Sequence, residues 1–425
     1  MRGSGPPVPS LLHHQGILSF PLEILIRIIE FTAGDAMLVW RRSELDSLIV
    51  KLSSVCRAFR TIVLNTVMLW TKIDDRFCLR DDFPELLSRS KSAPLILDIY
   101  LTPRNWKNVL QRILPYKDRW YNLRAELHFD LKIGDVMRDF PNIEFPALKR
   151  LDILIEPLDQ DYSPIFTQWT FPNVVFLAIN DLVPPTHCVP SLQVLELNVV
   201  NLDTHEDVEA LFGKLADFLR CRRSLQILNF DISGFIPSGP DELPIIELPN
   251  IKELKIGNSR FPDHEESPRS SNIYALSLFA RSIRVPNVEV YSLSVIFDQG
   301  PGPRTLRRFV QTFGSNPEAL HRVTDLFVST RYQYTTATML AFFSLFRDVR
   351  DLTIDVPHFG AMLVNSDGQV NLRHLESLTL RKETESFLQA GPMCVLKRFN
   401  ASPKAYTVKL NGHDEIAWEL ESDSD

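Results

Sequence analysis

The chain has 425 residues, 44% of them hydrophobic and 23% charged, with 46 Lys and Arg against 53 Asp and Glu for a net charge of −7. That length exceeds one compact core and calls for two units or one elongated one. The acid surplus argues against a general nucleic-acid binder, which needs excess Lys and Arg to neutralise phosphates. Five scattered cysteines without paired spacing point to reduced thiols inside a cell. No run reaches the ~18 apolar residues of a membrane span. Residues 1–17 lack the apolar stretch of a signal peptide. A cytoplasmic and/or nuclear protein is expected, with neither membrane nor nucleic acid as partner.

In chain order, residues 1–17 are small, polar and Pro-rich, and read as disordered. The stretch Phe20–Phe31 follows, with Pro21 suited to the first position of a helix. It is apolar at 22, 24, 25, 26, 28, 29 and 31, wider than the stripe of a surface helix, and must be covered on several sides. From Leu45 to Val63, apolar residues at 45, 48, 52, 55, 59 and 62 run down one helical face. Leu64–Ile73 completes a unit of three short helices over residues 18–73, too small to bury all its apolar surface.

The order Phe20-Pro21-x-Glu23-Ile24-Leu25-x-x-Ile28-Ile29, then Val55-Cys56-Arg57-Ala58-Phe59-Arg60, then Leu69-Trp70-Thr71-Lys72-Ile73 resembles an F-box. Its loop insert and terminal Leu-Trp are similar to the F-box-like domains common in mushroom-forming fungi. Two departures stand out: Phe20 replaces the usual Leu, and Thr66-Val67-Met68 lacks the Pro that often precedes Leu-Trp. The resemblance implies an Skp1-type adaptor as partner, and through it a cullin-RING ubiquitin ligase. The implied adaptor-binding residues are Pro21, Leu22, Ile24, Leu25, Ile28, Leu52, Val55, Cys56 and Phe59, with Leu69 and Trp70 fixing the third helix.

Residues 74–94 read as a polar connector, with Phe83–Leu87 starting a short helix. Residues 94–101 alternate as a strand does. Beyond them a pattern apolar-x-x-apolar-x-apolar recurs: Leu148/Leu151/Ile153, Val174/Leu177/Ile179, Leu192/Leu195/Leu197, Leu225/Leu228/Phe230 and Ile251/Leu254/Ile256. It continues as Val288/Tyr291/Leu293, Val323/Leu326/Val328, Val349/Leu352/Ile354 and Leu375/Leu378/Leu380, with a degenerate copy at Leu396/Phe399. Four copies are introduced by Pro turns at Pro172, Pro190, Pro249 and Pro286. Helical stretches lie at 206–219, 273–283, 304–313 and 337–346. The recurring 26-residue step resembles that of leucine-rich repeats, which implies strand–helix units stacked into one core. The expected fold is therefore α+β and α/β: a small three-helix F-box (18–73), a connector (74–94) and an irregular leucine-rich-repeat solenoid (95–410). An acidic tail (411–425) follows, in which Trp418 is able to cap the last repeat.

No phosphate loop, zinc-ligand spacing or nucleophile elbow is present, and Asp263-His264-Glu265-Glu266 reads as a polar loop. No catalytic residue, metal or cofactor is expected, and recognition is what remains. Strand residues between the apolar positions face away from the core. Acids outnumber bases there, seven to three, with Asp325, Asp351, Asp355 and Arg381 the candidate substrate contacts for a basic partner segment. The expected function is the substrate-recognition subunit of an Skp1–cullin–F-box ligase. The alternative is a non-catalytic repeat scaffold outside any ligase.

Overall fold

The computed structural model describes residues 21, 23–29, 31, 42–155, 162–199, 205–232, 245–257, 279, 282–296, 310, 318–329, 336–355, 372, 374–380, 405–410 and 413–419. The chain divides into two compact units, Met1–Ala125 and Glu126–Asp425.

Unit 1 opens with helix α1 (residues 23–29). The carbonyl of Pro21 accepts the amides of Ile24 and Leu25 at 3.0 and 3.1 Å, so Pro21 is the cap of this helix and not its first turn. Helices α2 (Arg42–Val55) and α3 (Arg57–Asn65) follow. The apolar run from Leu45 to Val63 is broken between them, where Cys56 takes an extended backbone (φ −163°, ψ 173°). Across that break Arg60 Nε donates to the Ser53 carbonyl at 3.1 Å. The third expected helix is a 3-10 turn, Val67–Trp70, that runs into strand β1 (Lys72–Asp74). Strand β1 pairs in parallel with β2 (Leu95–Leu101), whose Leu95, Leu97, Ile99 and Leu101 are buried.

Residues 74–94 are not a bare connector. They hold α4 (Asp75–Cys78) and α5 (Phe83–Ser88), with Phe77, Phe83, Leu86 and Leu87 buried and Asp74 capping α4 through a 2.7 Å bond to the Phe77 amide. Helix α6 (Trp106–Ile113) is tied to this region by Arg112, which donates to the Cys78 and Arg80 carbonyls. Strand β3 (Trp120–Leu127) closes the unit, its last residues passing the division.

Unit 2 begins with α7 (Ile133–Asp139), β4 (Ile143–Glu144), β5 (Arg150–Ile155), α8 (Ser163–Gln168), β6 (Trp169–Thr170), β7 (Phe176–Asn180) and β8 (Val194–Val199). Then come α9 (His205–Arg220), β9 (Ile227–Ile232), β10 (Ile246–Glu247), β11 (Glu253–Gly257), β12 (Ile283–Arg284) and β13 (Val290–Ile296). Its end comprises α10 (Glu318–His321), β14 (Asp325–Ser329), α11 (Thr336–Phe343), β15 (Asp351–Asp355), β16 (Ser377–Leu380), β17 (Ala405–Leu410) and β18 (His413–Glu419). The large sheet of this unit runs β5-β7-β8-β9-β11-β13-β14-β15-β16-β17-β18. Every neighbour pair in it is parallel except β17–β18. Two small parallel pairs, β4–β6 and β10–β12, stand apart from it.

This corrects the fold expected from the sequence. The chain is not a three-helix F-box followed by an irregular leucine-rich-repeat solenoid. It is α/β in character, dominated by one large and mostly parallel sheet, with few described helices, of which α9 at 16 residues is the longest. The physical reason is that the apolar hexamers are strands that ladder directly on one another. At the N-terminus the helices share a unit with strands and do not stand alone. Of the expected helical stretches, 273–283 and 304–313 lie almost wholly outside the described residues, as does the copy at Leu396/Phe399.

Register explains the core. Leu151, Leu177, Leu195, Leu228 and Leu254 are aligned Cα partners across five strands and are fully buried. At β13 the alignment slips by two residues: Tyr291 partners Leu254 on one side, yet Leu293 partners Leu326 on the other. The Thr324 hydroxyl accepts the Tyr291 amide at 3.0 Å where the ladder to β14 has not yet begun. An even slip keeps the same side chains inward, and Tyr291, Leu293 and Val295 are all buried. At the end of β5, the side chain of Asn180 on β7 prolongs the ladder: its Oδ1 accepts the Ile155 amide at 2.6 Å and its Nδ2 donates to the Ile155 carbonyl at 2.5 Å.

The Pro turns ahead of the strands form a second ladder. Asn173 donates to the Pro146 carbonyl, Ser191 to Pro172, Ser224 to Leu192, Asn250 to Arg223 and Asn287 to Pro249, all at 2.7–2.9 Å. Aromatic side chains fill the core behind, with Phe145 stacked on Phe171 at 5.3 Å and Phe230 on Phe279 at 3.7 Å. The region read as an acidic tail contains β18, which pairs antiparallel with β17 and sets Trp418 opposite Tyr406.

Candidate protein-binding surfaces

The residues implied by the F-box resemblance fall into two groups in unit 1. Leu25 and Ile29 face inward at 5% and 2% exposure, and Phe59, Leu69 and Trp70 are likewise buried. Trp70 Nε1 donates to the Val63 carbonyl at 3.1 Å, and the Arg89 guanidinium lies 4.9 Å from its ring centre. These side chains hold the unit together. Leu52 and Cys56 are half-buried, and Leu22 lies outside the described residues. Pro21 is exposed, as are Ile24 (45%), Ile28 (39%) and Val55 (61%). Phe31 (77%) and Val50 (66%), which the resemblance did not single out, are exposed as well. On a helix, positions 24, 28 and 31 share one side while 25 and 29 share the next. Helix α1 thus splits its apolar width between a packed side and an open one. Large exposed apolar side chains grouped on short helices mark contact surfaces more often than isolated ones do.

The second surface is on unit 2, on the outward positions of the large sheet. Register places them in two rows. One runs Glu196, Asn229, Lys255, Ser292, Asp325, Asp351 and Ser377; the other runs Asn198, Asp231, Gly257, Ser294, Phe327, Thr353 and Thr379. Together, from β8 to β15, the rows line a groove of about 480 Å³. Asn229 Nδ2 donates to Glu196 Oε1 at 2.9 Å, while its own Oδ1 is buried without a partner. The Ser292 hydroxyl donates to Asp325 at 2.9 Å, and Lys255 is paired with Glu253 at 2.5 Å. Asp325 and Asp351 are direct cross-strand neighbours. Partial burial raises the Asp351 carboxyl above the usual carboxylate range, and the adjoining Asp325 raises it further.

Of the four substrate contacts expected from the sequence, Asp325 and Asp351 line this groove. Asp355 lies at the end of β15 and accepts the Ser329 hydroxyl at 3.1 Å. Arg381 lies outside the described residues. Sequence reasoning missed the groove's small floor, Gly257, Ser292 and Ser294. The signal available was their outward position in the period-two pattern, where no charge drew attention to them.

Among the described residues, no group of three or more His, Cys, Asp and Glu could hold a metal ion, and no helix is long and apolar enough to cross a membrane. Burial pushes the thiols of Cys78 and Cys188 up, and Cys188 donates to the Phe166 carbonyl, so neither is a ready nucleophile. No family model matches the chain, and no curated protein matches it.

Proposed function

We propose that the chain is a non-catalytic substrate receptor of a cullin-RING ubiquitin ligase, acting in the cytoplasm and/or nucleus. The N-terminal helices hold an Skp1-type adaptor, and the large sheet presents a bound protein to the conjugating machinery. The observation that supports this best is that Ile24, Ile28 and Phe31 on one side of the first helix, and Val50 and Val55 on the second helix, are exposed, while most other large apolar side chains described in the unit are buried. Covering such a surface with a partner removes apolar area from water at roughly 25 cal/mol per Å² before the costs of association. The adaptor is named as the partner because the Phe-Pro, Cys-Arg and Leu-Trp segments resemble those of an F-box.

The test is co-purification of the full chain with an Skp1-type adaptor. Ile24→Asp/Ile28→Asp is the informative variant, because Leu25→Asp would place a charge at a packed position and unfold the unit. A one-to-one complex with the parent chain, lost in a variant of unchanged melting temperature, is the expected result. A folded parent chain that captures no adaptor would overturn the reading in favour of a scaffold outside any ligase.

A further inference from the structure

We infer that the groove across β8–β15 docks an extended segment of a protein partner carrying two Lys or Arg side chains four residues apart. This names the substrate chemistry of the receptor reading and rests on it for its setting.

The inference starts from how charge is distributed along the groove. Its lining holds four carboxylates, Glu196, Asp231, Asp325 and Asp351, against one lysine, Lys255. They form two poles. Glu196 and Asp231 stand on the adjacent strands β8 and β9, and Asp325 and Asp351 on the adjacent strands β14 and β15. Lys255 lies between the poles and is already matched by Glu253. A cation at either pole meets paired carboxylates, whereas one at the centre meets a satisfied ion pair. Charge complementarity therefore selects two separated cations with an uncharged middle.

Spacing follows from sheet geometry. Neighbouring strands lie about 4.8 Å apart. Asp231 on β9 and Asp325 on β14 are three strand steps, about 14 Å, apart across the sheet and two residues, about 7 Å, apart along the strands, which is about 16 Å in all. An extended chain advances about 3.4 Å per residue, so side chains at i and i+4, about 14 Å apart, are the same-side pair nearest that separation, and the long stems of Lys or Arg take up the remaining ~2 Å. The floor between the poles holds small residues, Gly257, Ser292 and Ser294. Gly257 carries no side chain there, and a Cβ built on it would meet Asp231 Oδ2 and Ser294 Cβ at 3.4 Å. The Asp325–Asp351 pole also presents the Phe327 ring, along which the stem of a Lys or Arg packs while its head meets the carboxylates.

The experiment is fluorescence anisotropy on the full chain, without adaptor, at about 0.15 M salt, where distant surface charges are screened. The probe is a labelled glycine-based peptide with two arginines four residues apart. Comparison peptides carry the same arginines side by side, or citrulline in both places. The spaced peptide is expected to bind at least about tenfold more tightly than either comparison, a difference of about 1.4 kcal/mol. D325N/D351N is expected to remove that advantage, and G257A to weaken binding by filling the floor. D135N/D139N, which neutralises carboxylates beside Arg138 away from the groove, is expected to leave binding unchanged. Equal binding of spaced and adjacent peptides, equal loss in D135N/D139N, or no binding of the spaced peptide to a folded chain would each overturn the proposal. Because no adaptor is present, a failure here is distinct from a failure of the adaptor test.

Discussion

Asp351 shows how a single side chain is set against the fold that carries it. Asp325 faces it from β14, while Ser377 and Glu376 face it from the β16 side. Its carboxyl is more readily protonated in the folded chain than in the unfolded one, so its ionisation opposes folding. That penalty is absent below the unfolded value of about 3.9, grows as pH rises, and is complete above the elevated folded value. Asp351→Asn removes it. The variant should melt at or above the parent temperature at neutral pH, with the two converging as pH falls through the carboxylate range. Thermal melts from about pH 8 to about pH 3 measure this, and a variant less stable at neutral pH would show that Asp351 supports the fold.

At the scale of elements, the turn ladder does what a parallel sheet cannot do for itself. Each Pro turn withholds an amide from the strand, and the Asn or Ser that follows Pro172, Pro190, Pro249 or Pro286 spends its side chain on the previous turn. A neutral hydrogen bond of this kind contributes about 0.5–1.5 kcal/mol. Asn250→Ala and Asn287→Ala should each lower stability toward the small end of that range, with a double-variant loss that departs from the sum because Asn287 bonds the carbonyl next to Asn250, as read from urea unfolding. No loss in either would mean that water satisfies the turn carbonyls equally well. The turns themselves were legible in the sequence from Pro and Asn, but their lateral bonding was not, since it joins residues 19 to 38 positions apart. Strand existence and inward faces were legible for a local reason: alternation is written in neighbouring residues. The break at Cys56 was hidden because the apolar spacing continues through it on both sides. The folded character of 74–94 was hidden by its many charges, among which Phe77, Phe83, Leu86 and Leu87 carry the packing.

For the molecule as a whole, the sequence indicated that Phe20–Phe31 needs covering on several sides, and not which side its own unit would leave open. That depends on contacts with residues far along the chain. The open side has a consequence for the isolated protein. With Ile24, Ile28, Phe31, Val50 and Val55 exposed, the purified chain should self-associate as its concentration rises, and Ile24→Asp/Val55→Asp should restore a single monomeric species in light scattering. A parent chain that stays monomeric throughout would show that these side chains do not form an adhesive surface. The groove was partly legible: Asp325 and Asp351 stood out as acids on outward positions, but their pairing with a distant second pole needed the strand order.

The slip at β13 has a meaning beyond its place in the core. A parallel sheet built this way reads only parity. Between one strand and the next the chain can gain or lose residues, and the ladder can restart two positions late, while every side chain keeps its face. One position late would turn the strand inside out, placing carboxylates in the core and leucines in the groove. The uneven distances between copies leave that parity untouched. They are the freedom left by a rule that counts in twos, and loops between strands can be rewritten at will so long as each strand lands on the right beat.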